Sequence, residues 1–225
     1  MAQNPTDIQS FDTNALGDGS VFGCDFAGVV EEVGEKVKIV ETGDVMARLI
    51  WGGLGAYAKY TLADERICFK IPRGITPAAA ATVPLATGTA WLALFSSGCL
   101  NIDRNRKGTT VLLARTQGLT VFTTCSQRNF DLVKTVDAQS AFDYTDADVA
   151  EKIRKVAPDL TYVFDTIDNV ESSAIASQAI RDEGSVLCRV RPGKANTVKC
   201  TARTKVTDVL VWTAFLKEHA YGEFK

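Results

Sequence analysis

The chain has 225 residues, 46% of them apolar, with 25 Lys and Arg set against 27 Asp and Glu for a net charge of −2. That length can bury one large core or two modest ones. The balanced charge, without a basic tract or an interleaved aromatic pattern, excludes a nucleic-acid footprint. The longest apolar runs, around Ala78 to Leu85 and Ala90 to Phe95, fall short of a membrane span.

From the N-terminus, Ala2-Gln3-Asn4-Pro5-Thr6-Asp7 offers neither the basic start nor the apolar core of a secretion signal. Six cysteines (Cys24, Cys68, Cys99, Cys125, Cys188, Cys200) stand far apart, which favours reduced thiols and a cytoplasmic setting. Residues 1–75 are rich in Gly and β-branched residues. In Gly23-Cys24-Asp25-Phe26-Ala27-Gly28-Val29-Val30-Glu31-Glu32-Val33-Gly34 the valines predict a strand, and Gly43-Asp44-Val45 predicts the turn into the next. At Thr76 the texture changes. Thr76-Pro77 followed by four alanines is a helix start, Thr as N-cap and Pro in the first turn, and a second helix is expected from near Thr87 through Leu94.

Beyond it, helix-like and strand-like patterns alternate. Strands are expected at Thr110 to Leu113, Thr120 to Thr124, Ser140 to Tyr144, Tyr162 to Asp165 and Val186 to Val190. Helices are expected at Asn129 to Val136, Asp146 to Val156 and Ser172 to Ile180. This alternation predicts an α/β, Rossmann-type doubly wound parallel sheet over residues 76–208.

Several blocks together carry a family resemblance. They are Asn4-Pro5-Thr6-Asp7, Gly23 to Gly28, Gly55-Ala56-Tyr57-Ala58-Lys59-Tyr60, Val83 to Ala90, Thr124 to Phe130, Ala141 to Tyr144 and Phe164 to Ile167. With them the chain resembles the zinc-independent medium-chain dehydrogenases/reductases, and within that family the trans-acting enoyl reductases of fungal polyketide biosynthesis. The resemblance implies an incomplete GroES-like substrate domain over 1–75, the NADPH-binding domain over 76–208, and over 209–225 the start of a truncated return to the catalytic domain. It covers nearly all of this chain, whereas the chain covers only part of the family.

The resemblance further implies that Thr6, Asp7, Ile8 and Gln9 touch NADPH and that Thr89, Ala90, Trp91, Leu92, Ala93, Leu94, Phe95 and Ser96 line the acyl pocket. Ser126, Gln127, Arg128 and Asn129 would hold the adenosine 2′-phosphate, Tyr144 would lie near the adenine, and Val190 and Arg191 at the nicotinamide side. The residues alone leave alternatives. Ser126 or Asn129 also suits an N-cap, Arg128 a solvated charge, Thr89 a helix start and Tyr144 a packing role.

The implied reaction is metal-free reduction of an α,β-unsaturated polyketide acyl thioester by NADPH, with a polyketide synthase as partner and a monomer compatible with the chain. Thr89 and the backbone near Ala86 to Ala90 would position substrate, and no side chain stands out as the catalytic acid. A zinc site is not expected. His219 is the only histidine, the cysteines do not cluster, and Cys24-Asp25 stands where zinc alcohol dehydrogenases carry His-Glu.

One departure bears on function. A dinucleotide-binding unit needs strand, Gly-rich turn and helix, yet here Thr109-Thr110-Val111-Leu112 is followed by Leu113-Ala114-Arg115-Thr116-Gln117-Gly118 and then the next strand. About 15 residues, the scale of one turn and helix, are missing after Leu112. A non-catalytic remnant, a misassembled gene and a quinone-oxidoreductase-like activity therefore stand as alternatives to the reductase.

Overall fold

The structure, a computed structural model, describes residues 1–50, 54–105, 108–112, 119–191, 193 and 195–215. The expectations placed on Leu113, on the segment to Gly118 and on His219 lie outside the described residues. The chain forms two compact units, Met1–Gly88 with Val211–Lys225, and Thr89–Leu210. Residues 76–88, at the start of the expected cofactor domain, belong to the first unit.

The first unit opens with helix α1 (Pro5–Asp12) and holds an antiparallel sheet of β1 (Asp25–Val29), β2 (Val45–Leu49) and β3 (Cys68–Lys70), in the order β1-β2-β3. Gly23 and Gly55 are glycines for steric reasons. Gly23 sits at φ +99 where a Cβ would meet the Tyr57 ring at 2.6 Å, and a Cβ on Gly55 would meet the carbonyl oxygen of Phe22 at 2.1 Å. Close approach lets the amides of Gly55, Ala56 and Tyr57 donate to the carbonyls of Val21, Gly23 and Phe22. Helix α2 (Pro77–Ala81) starts as expected, with the Thr76 hydroxyl accepting from the Ala79 amide at 3.2 Å. Helix α3 (Pro84–Phe95) begins in this unit and ends in the other. Cys24, Leu49, Val211 and Trp212 form the unit's small apolar core.

The second unit carries the expected parallel sheet: β4 (Thr109–Leu112), β5 (Leu119–Cys125), β6 (Ser140–Asp143), β7 (Tyr162–Asp165), β8 (Val186–Arg189) and β9 (Lys205–Asp208). Their spatial order is β6-β5-β4-β7-β8-β9 and every pairing is parallel. Numbered from its first strand this is 3-2-1-4-5-6, the dinucleotide-binding order with its switch point between β4 and β7. Alternation divides the core. Leu112, Val163 and Leu187 face α5 (Val149–Val156) and α6 (Val170–Ala179), whereas Val111, Phe164 and Cys188 pack with Ala93 and Leu94 of α3. Helix α4 (Phe130–Thr135) follows β5. In α5 the buried Val149 and Ile153 are four residues apart, one face of a helix, while Arg154 and Lys155 point to solvent.

The sequence reading has no helix at α1 and no strand at β9, and both are present. Among the described residues no helix is long and apolar enough to cross a membrane.

Candidate cofactor site

The sheet order points to the carboxyl edge at the β4–β7 switch, and a cleft of about 540 Å³ lies there. Leu112, Val163, Ile175 and Ala176 line it with apolar surface, and the exposed side chains of Tyr144 and Ile167 stand at its rim. Such a slot suits a flat ring. Ser126, Arg128 and Asn129 enter it from the tight turn after β5.

Their hydrogen bonding leaves them available. The Asn129 amide nitrogen donates to Ser126 Oγ at 3.2 Å, so the Ser126 hydroxyl proton is free to point elsewhere. Arg128 is exposed, and among the described residues it makes no ion pair. An exposed guanidinium is suited to a phosphate, which it can grip with two N–H groups. Glu171, which also lines the cleft, pairs with Lys199 at 3.5 Å. At the end of β7 the buried Asp165 is fully engaged. Its carboxylate accepts from the Ile167 and Asp168 amides at 3.0 Å each and from the Ser172 and Ser173 hydroxyls at 2.7 and 3.1 Å.

The first unit holds a second polar cluster. Asp7 accepts from the amides of Asn4 (2.8 Å) and Cys24 (3.0 Å) and from the Tyr57 hydroxyl (3.3 Å). Asp25, fully buried, accepts from the Asn4 side chain at 3.2 Å and the Leu85 amide at 2.9 Å. Burial, with Asp7 nearby, pushes the Asp25 carboxyl up to about 6, although its two hydrogen bonds pull the other way. Burial first and then Asp7 likewise raise the Tyr57 hydroxyl to about 12 and drive the Cys24 thiol far above its ordinary value. A thiol so held is a protonated packing group. All six cysteines are free, and among the described residues no three His, Cys, Asp or Glu side chains are grouped to hold a metal.

Residues 1–73 match the alcohol dehydrogenase GroES-like domain. A trans-enoyl reductase of Alternaria alternata, ACTTS2, is 33% identical over 95% of this chain and 68% of its own length. The chain belongs to the trans-enoyl reductases of the medium-chain dehydrogenase/reductase family. It spans 56% to 68% of the lengths of the fungal trans-enoyl reductases that it matches. Solved structures share the fold. The quinone oxidoreductase of Coxiella burnetii superposes with a TM-score of 0.74 at 22% identity, over 93% of this chain and 71% of that one. Mycobacterial Rv1454c complexed with NADPH gives 0.71 at 20%, over 95% and 72%.

The cleft residues are of a kind that could hold the phosphate of a nucleotide cofactor. They comprise an exposed guanidinium that makes no ion pair among the described residues, a neighbouring hydroxyl and apolar surface. In the sequence six residues, 113–118, join Leu112 to Leu119.

The expected residues are distributed unevenly. Ser126, Arg128, Asn129 and Tyr144 converge on the cleft, and Gln127 is exposed beside them. Thr6, Asp7, Ile8 and Gln9 lie on α1 in the first unit, with Asp7 buried in the hydrogen bonds above. Of the stretch Thr89 to Ser96, Ala93 and Leu94 have no exposed surface and belong to the core, because α3 turns that face to the sheet. Trp91 is exposed, with the Arg104 guanidinium 4.6 Å from its ring centre. Val190 packs against the core edge, and Arg191 is exposed with its amide donating to Asp168 at 2.7 Å. Sequence reasoning missed Ile167 at the rim and read Asp25 only as a potential metal ligand. The Asp165-to-Asn169 run before a helix was the available signal for a strand-end turn.

Proposed function

We propose that this chain is an NADPH-dependent oxidoreductase that reduces the α,β-unsaturated acyl thioester of a polyketide intermediate, acting in trans with a polyketide synthase in the cytoplasm. The observation that carries it is Arg128, an exposed cation without an ion pair among the described residues, in the turn after the second strand of a dinucleotide-ordered sheet, with Ser126 and Asn129 beside it. In this reading these three hold the 2′-phosphate, and Tyr144 and Ile167 flank the adenine. NADPH, when bound, supplies a hydride. The exposed and half-buried members of Thr89 to Ser96, Trp91 foremost, would meet the acyl chain, while Thr6 to Gln9 and Val190–Arg191 would serve the nicotinamide half. No residue is assigned as the catalytic acid.

The test is NADPH consumption with crotonyl pantetheine as acceptor. Loss of NADPH absorbance with formation of the saturated thioester, and slower loss with NADH, is the expected outcome. No turnover under saturating NADPH would overturn it. The short link between Leu112 and Leu119 favours a second reading, a chain that keeps the adenosine cleft without catalysis. That form would bind 2′,5′-ADP yet leave crotonyl pantetheine unchanged.

A further inference from the structure

Arg189, the last residue of β8, is 1% exposed and stands among three acceptors from separate segments. It donates to Asp168 after β7 (3.1 Å), to Asp208 at the end of β9 (2.7 Å), and to the carbonyl of Gly193. Asp168 is itself fully buried and held at φ +52, a backbone state that costs an ordinary residue free energy. Its carboxylate accepts from the Arg191 amide at 2.7 Å and from Asn196 at 3.3 Å, and its carbonyl accepts from Asn196 at 2.7 Å. Asp208 accepts from the Gly193 amide at 3.3 Å. One guanidinium nitrogen, Nε, is buried without a partner.

A buried ion network is weak evidence for stability, since apolar replacements of equal volume often serve as well. This one is also imperfect, with a strained backbone and an orphaned donor. What it achieves is geometric. It ties the chain at Arg191, Gly193 and Asn196 to the carboxyl ends of β7, β8 and β9. Those strands form the second half of a sheet whose first half ends at the adenosine cleft, and each half of such a sheet takes one nucleotide.

We infer that Arg189, with Asp168 and Asp208, is a positioning residue. It fixes the backbone around Val190 and Arg191 as the seat for the second nucleotide of the dinucleotide. The inference rests on the NADPH reading above.

The experiment compares NADPH with 2′,5′-ADP, which carries the adenosine half alone, on the wild-type chain, Arg189→Lys and Asn196→Ala. Asn196→Ala cuts only the tether to Asp168 and leaves the buried charges paired. Binding is read by fluorescence titration, and hydrogen exchange of the Arg191 amide is read in parallel. Both variants should lose at least about tenfold in NADPH affinity while 2′,5′-ADP changes by less than about twofold. The Arg191 amide should exchange about tenfold faster in both, with the Ile167 amide unchanged. Equal losses for the two ligands, no loss for either, or an unchanged Arg191 amide would overturn the positioning role. A wild-type chain that bound neither ligand would sink the NADPH reading and this inference together.

Discussion

The two halves of the parallel sheet end in opposite ways. At the β4–β7 switch the carboxyl edge opens into a cleft where, among the described residues, Arg128 makes no ion pair and Tyr144 is half exposed. Further along, at the ends of β8 and β9, the same edge carries a buried network in which Arg189 has partners on three segments. A charge that is to meet a ligand must stay unpaired and wet. A charge that holds the backbone must be paired and dry, because an isolated buried ion is far too costly. The difference separates a group that binds from a group that shapes.

The largest effect should come from the closed half. Arg189→Met leaves Asp168 uncompensated in the interior, so stability should fall by about 3–5 kcal/mol. Urea denaturation would read this, and a loss under about 1 kcal/mol would show that the network is not buried as described.

A carboxylate in the other unit sharpens the contrast, because Asp25 is buried with hydrogen bonds and, among the described residues, no side-chain ion pair. Its carboxyl is pushed up to about 6 by burial, above the unfolded value near 4, so the native state holds the proton more tightly. Its contribution to stability is therefore fully present below pH about 4 and is lost as pH rises through about 6, an effect on the order of 2 kcal/mol. The stability difference between wild type and Asp25→Asn, followed from pH 4 to pH 7, should move in that sense. A flat difference would mean that Asp25 titrates normally.

Smaller still is Ser172→Ala. It removes one of four donors to Asp165 and the cap contact with Asn169, at a cost of about 1–2 kcal/mol by urea denaturation. A neutral result would show that the remaining donors suffice. The open half should scarcely respond. Arg128→Ala should change stability by less than about 0.5 kcal/mol in urea denaturation, since the side chain is exposed. A larger loss would mean that Arg128 is structural.

This asymmetry also explains what was legible in the sequence. Strands β5 to β8 and helices α4 to α6 follow from alternating texture, and the turn after β5 was visible as Ser126 to Asn129 between a β-branched run and a helix. Strand β9, Lys-Val-Thr-Asp, is short and mostly polar, and its strand character comes from pairing with β8. Helix α1 carries its signal in Pro5 at the first turn and in Asp7 three residues after Asn4, a capping pattern that lies within the stretch the resemblance assigns to cofactor contact. The Arg189 network had no local signature. Asp168, Arg189 and Asp208 come together only because β7, β8 and β9 are neighbours, and chain spacing does not encode that. That Ala93 and Leu94 of the Thr89–Ser96 stretch are buried in the core was not legible for a related reason, since helical periodicity does not say which face meets the sheet.

The central claim is that the open half reads the 2′-phosphate of NADPH. Fluorescence titration of the wild-type chain and Arg128→Ala with NADPH and NADH tests it most directly. Wild type should favour NADPH by at least about tenfold, the scale of a charge-assisted phosphate contact, and Arg128→Ala should erase most of that preference without changing NADH affinity. Equal affinities of the wild-type chain for the two cofactors, or a preference that survives Arg128→Ala intact, would contradict it.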